Sequence, residues 1–347
     1  MEANGAQWVR GSIIGRGSFG SVSLAYPKKP SSVFPPVMAV KSADVSVSDT
    51  LQKEFEVLNN LQGSPYVICC LGEETTMSDS GGQMMYNLLL EYASGGSLAD
   101  LIDKSNGGLP EVDVRRYTRQ LLKGLDHVHE SGYVHCDMKP DNVLLVPSNR
   151  NCDSVPKFVA KIADFGLAKR GRKSKRTRYD RYLRGTAMYM APEVVLDHVQ
   201  EAPADIWALG CVVLEMLTGK SPWDSESDFA MKGLFRRIGD SGALPQIPAW
   251  ISDDAREFLN RCFVRNPMFR FTTEMLMDLP FVSGVVEEED EDDYDDDEVA
   301  ENSDLLLWLE DPEECRSSTE KFTVNEHKRK RYSHFIPITG ADLVFTT

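Results

Sequence analysis

The sequence feature that most constrains the fold is a polar octet, HCDMKPDN at residues 135–142, which lies between two apolar elements. Ahead of it, apolar positions three or four residues apart between residues 111 and 130 predict a long amphipathic helix. Behind it, residues 143–146 (VLLV) predict a short buried strand. A helix and a buried strand on either side would hold the octet as a fixed loop, so its polar side chains are the first candidates for a functional site.

Three side chains of the octet suit phosphoryl transfer. Asp137 can orient a hydroxyl nucleophile, Lys139 can neutralise a transferring phosphoryl group, and Asn142 can bind a metal ion through oxygen. A polar loop before a buried strand is also common in proteins where it has no catalytic role. The octet alone therefore leaves the function open, and the remaining parts of a phosphoryl-transfer site have to be sought elsewhere in the chain.

A glycine-rich β-hairpin is predicted near the N-terminus, over residues 8–26. Gly15, Gly17 and Gly20 form a G-x-G-x-x-G pattern followed by Val22. Glycines at this spacing let backbone N–H groups approach phosphate oxygens without obstruction by side chains. Strand residues follow the third glycine, where a Rossmann dinucleotide site would begin a helix. Glycine-rich hairpins also occur for conformational reasons alone.

Further charged residues follow in the order that a phosphoryl-transfer site would need. Lys41 ends the next predicted strand and would reach phosphates lying beneath the hairpin, provided that a carboxylate holds it. The amphipathic helix predicted over residues 47–61 offers Glu54, with Glu56 as the second choice. Asp164 stands in a D-F-G sequence after an apolar run and suits a second metal-binding carboxylate.

Apolar periodicity predicts most of the other elements. Ser97 is a candidate N-cap for a short helix, and the helix near residue 210 is apolar almost all round, as a central buried helix would be. The remaining predictions are strands at 66–75 and 83–92 and helices at about 203–218, 226–238, 252–263 and 272–279.

Length and composition allow one large two-lobed domain with a tail, or two modest domains. The chain has 347 residues, of which 41% are hydrophobic, enough for a sizeable core. Its seven cysteines lack metal-ligand spacing, which favours a reduced intracellular protein over a disulfide framework. No apolar run could span a bilayer, and the N-terminus has neither a signal-peptide pattern nor a glycine for myristoylation, so we expect no membrane association.

The net charge of −16 is concentrated in one segment. Residues 287–298 read EEEDEDDYDDDE, eleven acids in twelve positions, and removing this −11 leaves −5 for the rest of the chain. The acidity is a property of a tail and says little about partners of the folded domain. We expect no nucleic-acid partner.

The motifs, taken in order, resemble those of a eukaryotic protein kinase domain from residue 8 to about residue 282. They are GRGSFGSV at 15–22, MAVK at 38–41, HCD at 135–137, DFG at 164–166, APE at 191–193, DIWALG at 205–210 and a late arginine, Arg270, that would pair with the APE glutamate. The resemblance implies an α+β fold of two lobes, a small antiparallel β lobe with one regulatory helix and a larger, mainly helical lobe. It also implies an N-terminal extension over 1–7, a kinase domain over 8–283 and an acidic, largely disordered regulatory tail over 284–347.

The resemblance assigns a role to each candidate residue. Lys41 would hold the α- and β-phosphates of ATP and pair with Glu54, Asp137 would position the substrate hydroxyl near Lys139, and Asn142 and Asp164 would bind Mg²⁺. The ATP pocket would be formed by Ile14, Gly15, Gly17, Gly20, Val22, Ala39, Lys41, Leu90, Glu91, Ala93 and Leu144.

Lys139 and Thr186 resemble the serine/threonine branch of the family rather than the tyrosine branch. The WVRG sequence at 8–11, SPYVI at 64–68 and HCD together resemble the compact MEKK-like branch of plant mitogen-activated protein (MAP) kinase kinase kinases, although GTAMYM at 185–190 departs from the more usual G-T-P-x-W-M. The substrate would then be a MAP kinase kinase in a plant stress or hormone signalling cascade. The alternative is a pseudokinase or scaffold that binds nucleotide and recruits partners through its tail, which the complete set of catalytic residues disfavours.

Cys136 replaces the arginine that grips a phosphorylated activation loop in most kinases of this family. We therefore predict that activity does not depend strictly on a phosphate at Ser174 or Thr177. The alternative is that a nearby arginine replaces the lost contact, and the candidates are Arg170, Arg172 and Arg184.

Three features of the tail suggest further roles. The acidic run 287–298 could fold onto the basic segment 169–184 and lower activity, although a solvated tail is the alternative. The apolar segment 303–309 could dock as a short helix. We expect the protein in the cytoplasm, and the basic cluster KRKR at 328–331 would also allow import into the nucleus.

Overall fold

The computed structural model describes residues 4–17, 20–31, 34–77, 82–148, 158–171, 183–223, 231–240 and 242–285. Several features predicted from the sequence lie outside these residues. They are Ser174, Thr177, Arg172 and most of the basic segment, and, in the tail, the acidic run, the apolar segment 303–309 and the basic cluster 328–331.

The small lobe is built on one antiparallel five-stranded sheet in the order β1-β2-β3-β5-β4, with one helix packed against it. Its elements are β1 (Trp8–Gly17), β2 (Gly20–Pro27), β3 (Met38–Asp44), α1 (Asp49–Asn60), β4 (Cys70–Met77) and β5 (Met84–Glu91). Side chains alternate between the two faces of the sheet. Met38 and Val40 pack with Trp8 on one face, whereas Ala39 belongs to the main core on the other.

The structure corrects two of the predicted boundaries in this lobe. The helix predicted from residue 47 begins at Asp49, because the Asp44 side chain accepts a hydrogen bond from Ser46 N and caps a separate 3₁₀ turn over Val45–Val47. The strand predicted from residue 66 begins at Cys70. The preceding residues pair with the large lobe instead, since Ile68 N donates to Ile162 O at 2.9 Å.

The large lobe is mainly helical. Its elements are α2 (Leu98–Lys104), α3 (Glu111–Glu130), β6 (Tyr133–Val134), β7 (Val143–Pro147), β8 (Phe158–Ile162), β9 (Lys169–Arg170), α4 (Pro192–Asp197), α5 (Ala202–Thr218), α6 (Met231–Gly239), α7 (Asp253–Cys262), α8 (Thr273–Met277) and α9 (Pro280–Ser283). Ser97 caps α2 through a capping box with Asp100, as predicted. Within the described residues, no helix is long and apolar enough to cross a membrane.

The helices agree with the apolar periodicity except at their ends, and the first residues of the helix predicted over 226–238 lie outside the described residues. α5, predicted to be central, is buried at every position from Ala204 to Leu217. The helix predicted over 272–279 ends at Met277, and Pro280 begins a new helix, because the residue before a proline disfavours helical backbone angles. The predicted α+β fold with two lobes is confirmed.

A buried ion pair joins three parts of the large lobe. The Arg270 guanidinium forms two hydrogen bonds with the Glu193 carboxylate, at 2.6 and 2.9 Å, and a third with Pro203 O at 2.6 Å. The guanidinium carbon Cζ of Arg270 also lies 5.2 Å from the centre of the Trp207 ring. Both charged side chains are almost inaccessible to water, so each depends on the other for compensation.

We expect Glu193→Gln to lower the free energy of unfolding by about 3–5 kcal/mol, because the buried Arg270 charge would lose its carboxylate. Urea denaturation measures this. The matched control is Glu257→Gln, whose partner Arg261 lies on the same exposed helix face. This control should lower the free energy of unfolding by less than about 0.5 kcal/mol. Equal losses in the two variants would contradict the prediction.

Candidate active site

Lys41 lies at the centre of a charge cluster between the lobes. It stands on β3 opposite Val22 of β2 and Leu88 of β5. Its Nζ lies 2.6 Å from Glu54 Oε2 and 2.9 Å from Asp164 Oδ1. The contact with Glu54 rather than Glu56 follows from the helix: Glu54 is on the buried face of α1, and Glu56 is exposed.

The ion pair between Lys41 and Asp164 favours the charged form of both side chains. Burial alone would lower the pKa of Lys41, but the Glu54 and Asp164 carboxylates outweigh it and raise that pKa above its usual value. For Asp164, burial raises the pKa, and the Lys41 ammonium more than reverses this, so the pKa lies below its usual value. The cluster therefore presents a fixed cation and a fixed carboxylate to the cleft.

Two residues whose side-chain oxygens suit a divalent cation, Asn142 and Asp164, are linked through the backbone at the end of β8. Ala163 N donates to Asn142 O at 2.8 Å, which brings Asp164 beside the octet. The Asn142 side chain donates through Nδ2 to Asp137 O and Asp137 Oδ2, at 2.8 and 3.0 Å, so its Oδ1 is directed away from Asp137. One amide oxygen and one carboxylate fit Mg²⁺, which usually takes few protein ligands and keeps water and phosphate oxygens. Among the described residues, no group of three or more His, Cys, Asp or Glu side chains could hold a metal.

Asp137 is held in a buried three-residue cluster. Thr186 Oγ1 donates to Asp137 Oδ1 at 2.8 Å, and Lys139 Nζ lies 3.1 Å from Asp137 Oδ2. Lys139 Nζ also donates to Thr186 Oγ1 at 3.0 Å, which closes the cluster. Thr186 and Lys139 each hold one oxygen of the Asp137 carboxylate, so the carboxylate has little freedom to rotate.

The octet is anchored from beneath by Asp205 of α5. Its carboxylate accepts hydrogen bonds from His135 N at 2.8 Å, Cys136 N at 3.0 Å and His129 Nε2 at 3.0 Å. Burial would raise the pKa of Asp205, but its interactions with His129 and His135 together outweigh this, and the pKa falls below its usual value. The octet is therefore attached to the most buried helix of the lobe.

His135 connects the octet to the strand before Asp164. Asp137 N donates to His135 Nδ1 at 3.2 Å, and His135 Nε2 lies 3.1 Å from Ala163 O. The first bond requires an acceptor at Nδ1 and the second a donor at Nε2, which defines a neutral ring with its proton on Nε2. The ring also meets Phe165 edge-on, with the ring centres 4.8 Å apart.

The apolar residues predicted for the ATP pocket come largely together. Ala39 and Leu90 face each other across β3 and β5, and Val22 and Leu144 pack against the same core. Ile14 is 46% exposed and lies outside that cluster. Ala93 is half-buried in the turn after β5.

The glycines of the hairpin differ in what requires them. Gly20 has φ +136°, and a Cβ there would lie 1.9 Å from Ser42 O, so packing alone demands glycine. At Gly17 a Cβ would meet no described atom within 4 Å, and at Gly15 it would only touch Val22. The space beside Gly15 and Gly17 can thus admit a phosphate, whereas Gly20 maintains the hairpin itself.

Glu91 contributes a side chain that the sequence reasoning missed. Its carboxylate lies 2.8 and 2.9 Å from Lys161 Nζ on β8 and accepts from Cys69 N at 2.6 Å. The sequence placed Glu91 in the ATP pocket but gave no partner for its side chain. The ion pair links the segment between the lobes to the large lobe, and no local pattern reveals it because the partners are 70 residues apart.

Cys136 is buried, with φ +70°, and its Sγ donates weakly to Val134 O at 3.5 Å. Burial raises the pKa of its thiol well above the usual value. Of the arginines that could replace the lost contact, Arg170 stacks on the Tyr133 ring at 4.6 Å. Arg184 lies near Lys53, and burial together with the positive charge of Arg184 lowers the pKa of Lys53. Neither observation tests whether a phosphate is needed, so independence from phosphorylation stays a prediction.

The two lobes, the Lys41 cluster and the Asp137 cluster define the class of protein. A sequence model described as "Protein kinase domain" matches residues 8–282, and the chain belongs to that family. Within it, the chain is a serine/threonine protein kinase of the MAP kinase kinase kinase family. The prediction made from the motifs is confirmed.

The relatives support this assignment over most of the chain. The chain is 44% identical to mitogen-activated protein kinase kinase kinase 20 of Arabidopsis thaliana over 285 residues, which is 82% of this chain and 80% of the relative. It is 39% identical to mitogen-activated protein kinase kinase kinase 17 of the same plant, over 80% of this chain and 70% of the relative. It is also 36% identical to the serine/threonine-protein kinase BCK1/SLK1/SSP31 of Saccharomyces cerevisiae, over 79% of this chain but only 18% of that longer protein.

We expect Thr186→Val to lower kcat by about 10- to 100-fold, because the lost hydroxyl bonds two charged groups and each such bond contributes about 1.5–3 kcal/mol. The KM for ATP should change little, since the Thr186 hydroxyl bonds Asp137 and Lys139 rather than the glycine hairpin or the Lys41 cluster. Steady-state kinetics on a generic protein substrate measures both. Thr186→Ser keeps the hydroxyl and should retain most activity; a loss as large as that of Thr186→Val would contradict the role of the hydroxyl.

Proposed function

We propose that this kinase transfers the γ-phosphoryl group of ATP to a serine or threonine of a MAP kinase kinase. The observation that carries the proposal is the buried cluster of Asp137, Lys139 and Thr186, which holds the Asp137 carboxylate by both oxygens. Phosphoryl transfer needs positioning and charge neutralisation more than covalent chemistry, and this cluster and the Lys41 cluster supply both.

Each residue would act from its observed place. Asp137, held on both oxygens, would orient the substrate hydroxyl toward the phosphorus atom. Lys139 would neutralise charge on the transferred group, and Lys41, held by Glu54, would bind the inner phosphates. Asn142 and Asp164 would hold Mg²⁺, which neutralises the charge that develops on the phosphoryl oxygens.

The substrate class is supported by the relatives. The similar plant proteins are named MAP kinase kinase kinases, and that name describes kinases that act on MAP kinase kinases. We extend this substrate to the present chain and, with it, a plant stress or hormone signalling cascade. The division into residues 1–7, 8–283 and 284–347 and the location in cytoplasm and nucleus belong to the same proposal.

The pseudokinase or scaffold alternative finds no support. The loss of a catalytic group would favour it, yet all the groups expected from the family are present and paired in the structure. They are Lys41, Glu54, Asp137, Asn142 and Asp164.

Lys41→Met and Asp137→Asn are each expected to lower phosphotransfer by at least about 100-fold in the full chain with ATP and Mg²⁺, because each removes a charge used in the transition state. Incorporation of labelled phosphate into a generic protein substrate measures this, and EDTA should abolish it until Mg²⁺ is restored. Matched exposed controls, Lys28→Met and Asp253→Asn, should keep full activity. Equal, negligible transfer by the wild type and both active-site variants would overturn the conclusion that the protein is an active kinase.

The substrate is tested by a panel of purified MAP kinase kinases, each made inactive so that only the added kinase can act. We expect at least one to be phosphorylated on serine or threonine of its activation loop, with the sites mapped by mass spectrometry. Asp137→Asn enzyme serves as the blank. If generic substrates are phosphorylated and no member of the panel is, the kinase stands and the proposed substrate class fails.

A further inference from the structure

Gln200, in the loop between α4 and α5, joins the octet to a distant segment. Its side chain is 5% exposed, and its Nε2 donates to Cys136 O at 3.0 Å and to Arg184 O at 3.1 Å. The first carbonyl belongs to the octet. The second lies near the end of the activation segment, by which we mean residues 169–186. One side-chain amide thus holds two backbone carbonyls of different segments.

Glu201, the next residue, contacts the other end of the same segment. Its Oε1 lies 3.3 Å from Lys169 Nζ in β9, and the charged ends of both side chains are mostly shielded from water. A Cβ added to Gly171 would lie 3.8 Å from Glu201 Oε2, which places this carboxylate along the first residues of the segment. Two adjacent residues therefore hold both described ends of the activation segment.

The contacts of Gln200 bear directly on the alignment of Asp137. Cys136 precedes Asp137, and Arg184 lies two residues before Thr186, which donates to Asp137. Gly185, which lies between Arg184 and Thr186, passes close to the octet. A Cβ added to Gly185 would lie 2.4 Å from Cys136 O. Fixing the Cys136 and Arg184 carbonyls therefore fixes the approach of Thr186 to Asp137.

Glu201 also provides a permanent negative charge for the segment. Cys136 cannot grip a phosphate as an arginine would, because it is a buried thiol that bonds a backbone carbonyl. Lys169, at the start of the segment, already has a negative partner in Glu201. The chain itself thus contains the charge that a modification would otherwise add.

We propose that Gln200 and Glu201 are positioning residues that hold both ends of the activation segment against the octet, so that Thr186 meets Asp137 without a phosphate on the segment. The inference rests on the proposed role of Asp137 and adds the regulation of that site. Gln200 and Glu201 contact Cys136, Arg184 and Lys169, and neither is itself a reacting group. Their effect acts on kcat through the alignment of Asp137.

The first experiment uses the full chain carrying Ser174→Ala and Thr177→Ala, so that these two hydroxyls cannot accept a phosphate. This variant should keep kcat within about threefold of the wild type on a generic substrate. Adding Gln200→Met, which keeps the side-chain length but removes the donors, should lower kcat about tenfold with the KM for ATP within about twofold. The control, Gln62→Met, removes an exposed glutamine whose side chain donates to nearby Asn59, and it should leave kcat unchanged.

The second experiment tests the ion pair by a double-mutant cycle. Glu201→Gln and Lys169→Met should each lower kcat by about threefold, and the double variant should be no worse than either single variant, because all three lack the same contact. Additive losses, or no loss, would overturn the part assigned to Glu201. Glu257→Gln, in an exposed pair, is the matched control and should leave kcat unchanged.

A third measurement needs no substitution and so does not depend on any variant folding. Hydrogen exchange of peptides covering 169–171 and 183–187 should be equally slow in wild-type protein before and after phosphatase treatment. Exchange more than about tenfold faster after treatment would overturn the inference, as would an inactive Ser174→Ala/Thr177→Ala variant beside an active wild type. That second result would leave the kinase function intact, whereas a wild type no better than Lys41→Met would instead remove the function on which the inference rests.

Discussion

The buried carboxylate of Asp205 is the interaction on which the catalytic loop depends. A carboxylate with 2% of its surface exposed is tolerable only if hydrogen bonds compensate its charge, and three donors converge on it. Two of these donors are backbone N–H groups of the octet, so satisfying Asp205 positions His135 and Cys136. The octet therefore takes its position from the central helix α5 rather than from its own sequence, and the residues that follow inherit that position.

Charge also determines how the two lobes meet. Lys41 belongs to the small lobe, and it bonds both Glu54 of that lobe and Asp164 of the large lobe. Glu91 and Lys161 form a second ion pair at the segment that joins the lobes. Because Glu54 is almost completely buried beneath Lys41, removing Lys41 would leave an uncompensated charge, which costs about 3–5 kcal/mol. The arrangement of the cleft is thus tied to the same charges that the chemistry uses.

Much of the site could be predicted because its parts are local. The glycine spacing, the octet and the D-F-G aspartate each occupy a few adjacent residues, and their order matched the family. The elements with a clear apolar period, such as α3 and α5, were also predicted. The pairing of a segment without such a period was not. Residues 66–69 look like a strand of the small sheet, yet they pair with Ile162 of the large lobe, and no period within the segment distinguishes the two partners.

By itself, the sequence determined the kind of chemistry and the class of fold, because both follow from residue types at short spacings and from apolar periodicity. Only the tertiary structure decided which side chains meet. It selected Glu54 over Glu56 by which face of α1 is buried, and it brought Gln200 to Cys136 across 64 positions of the chain. Such contacts depend on where whole elements pack, and a local pattern does not encode the partner of a buried polar group.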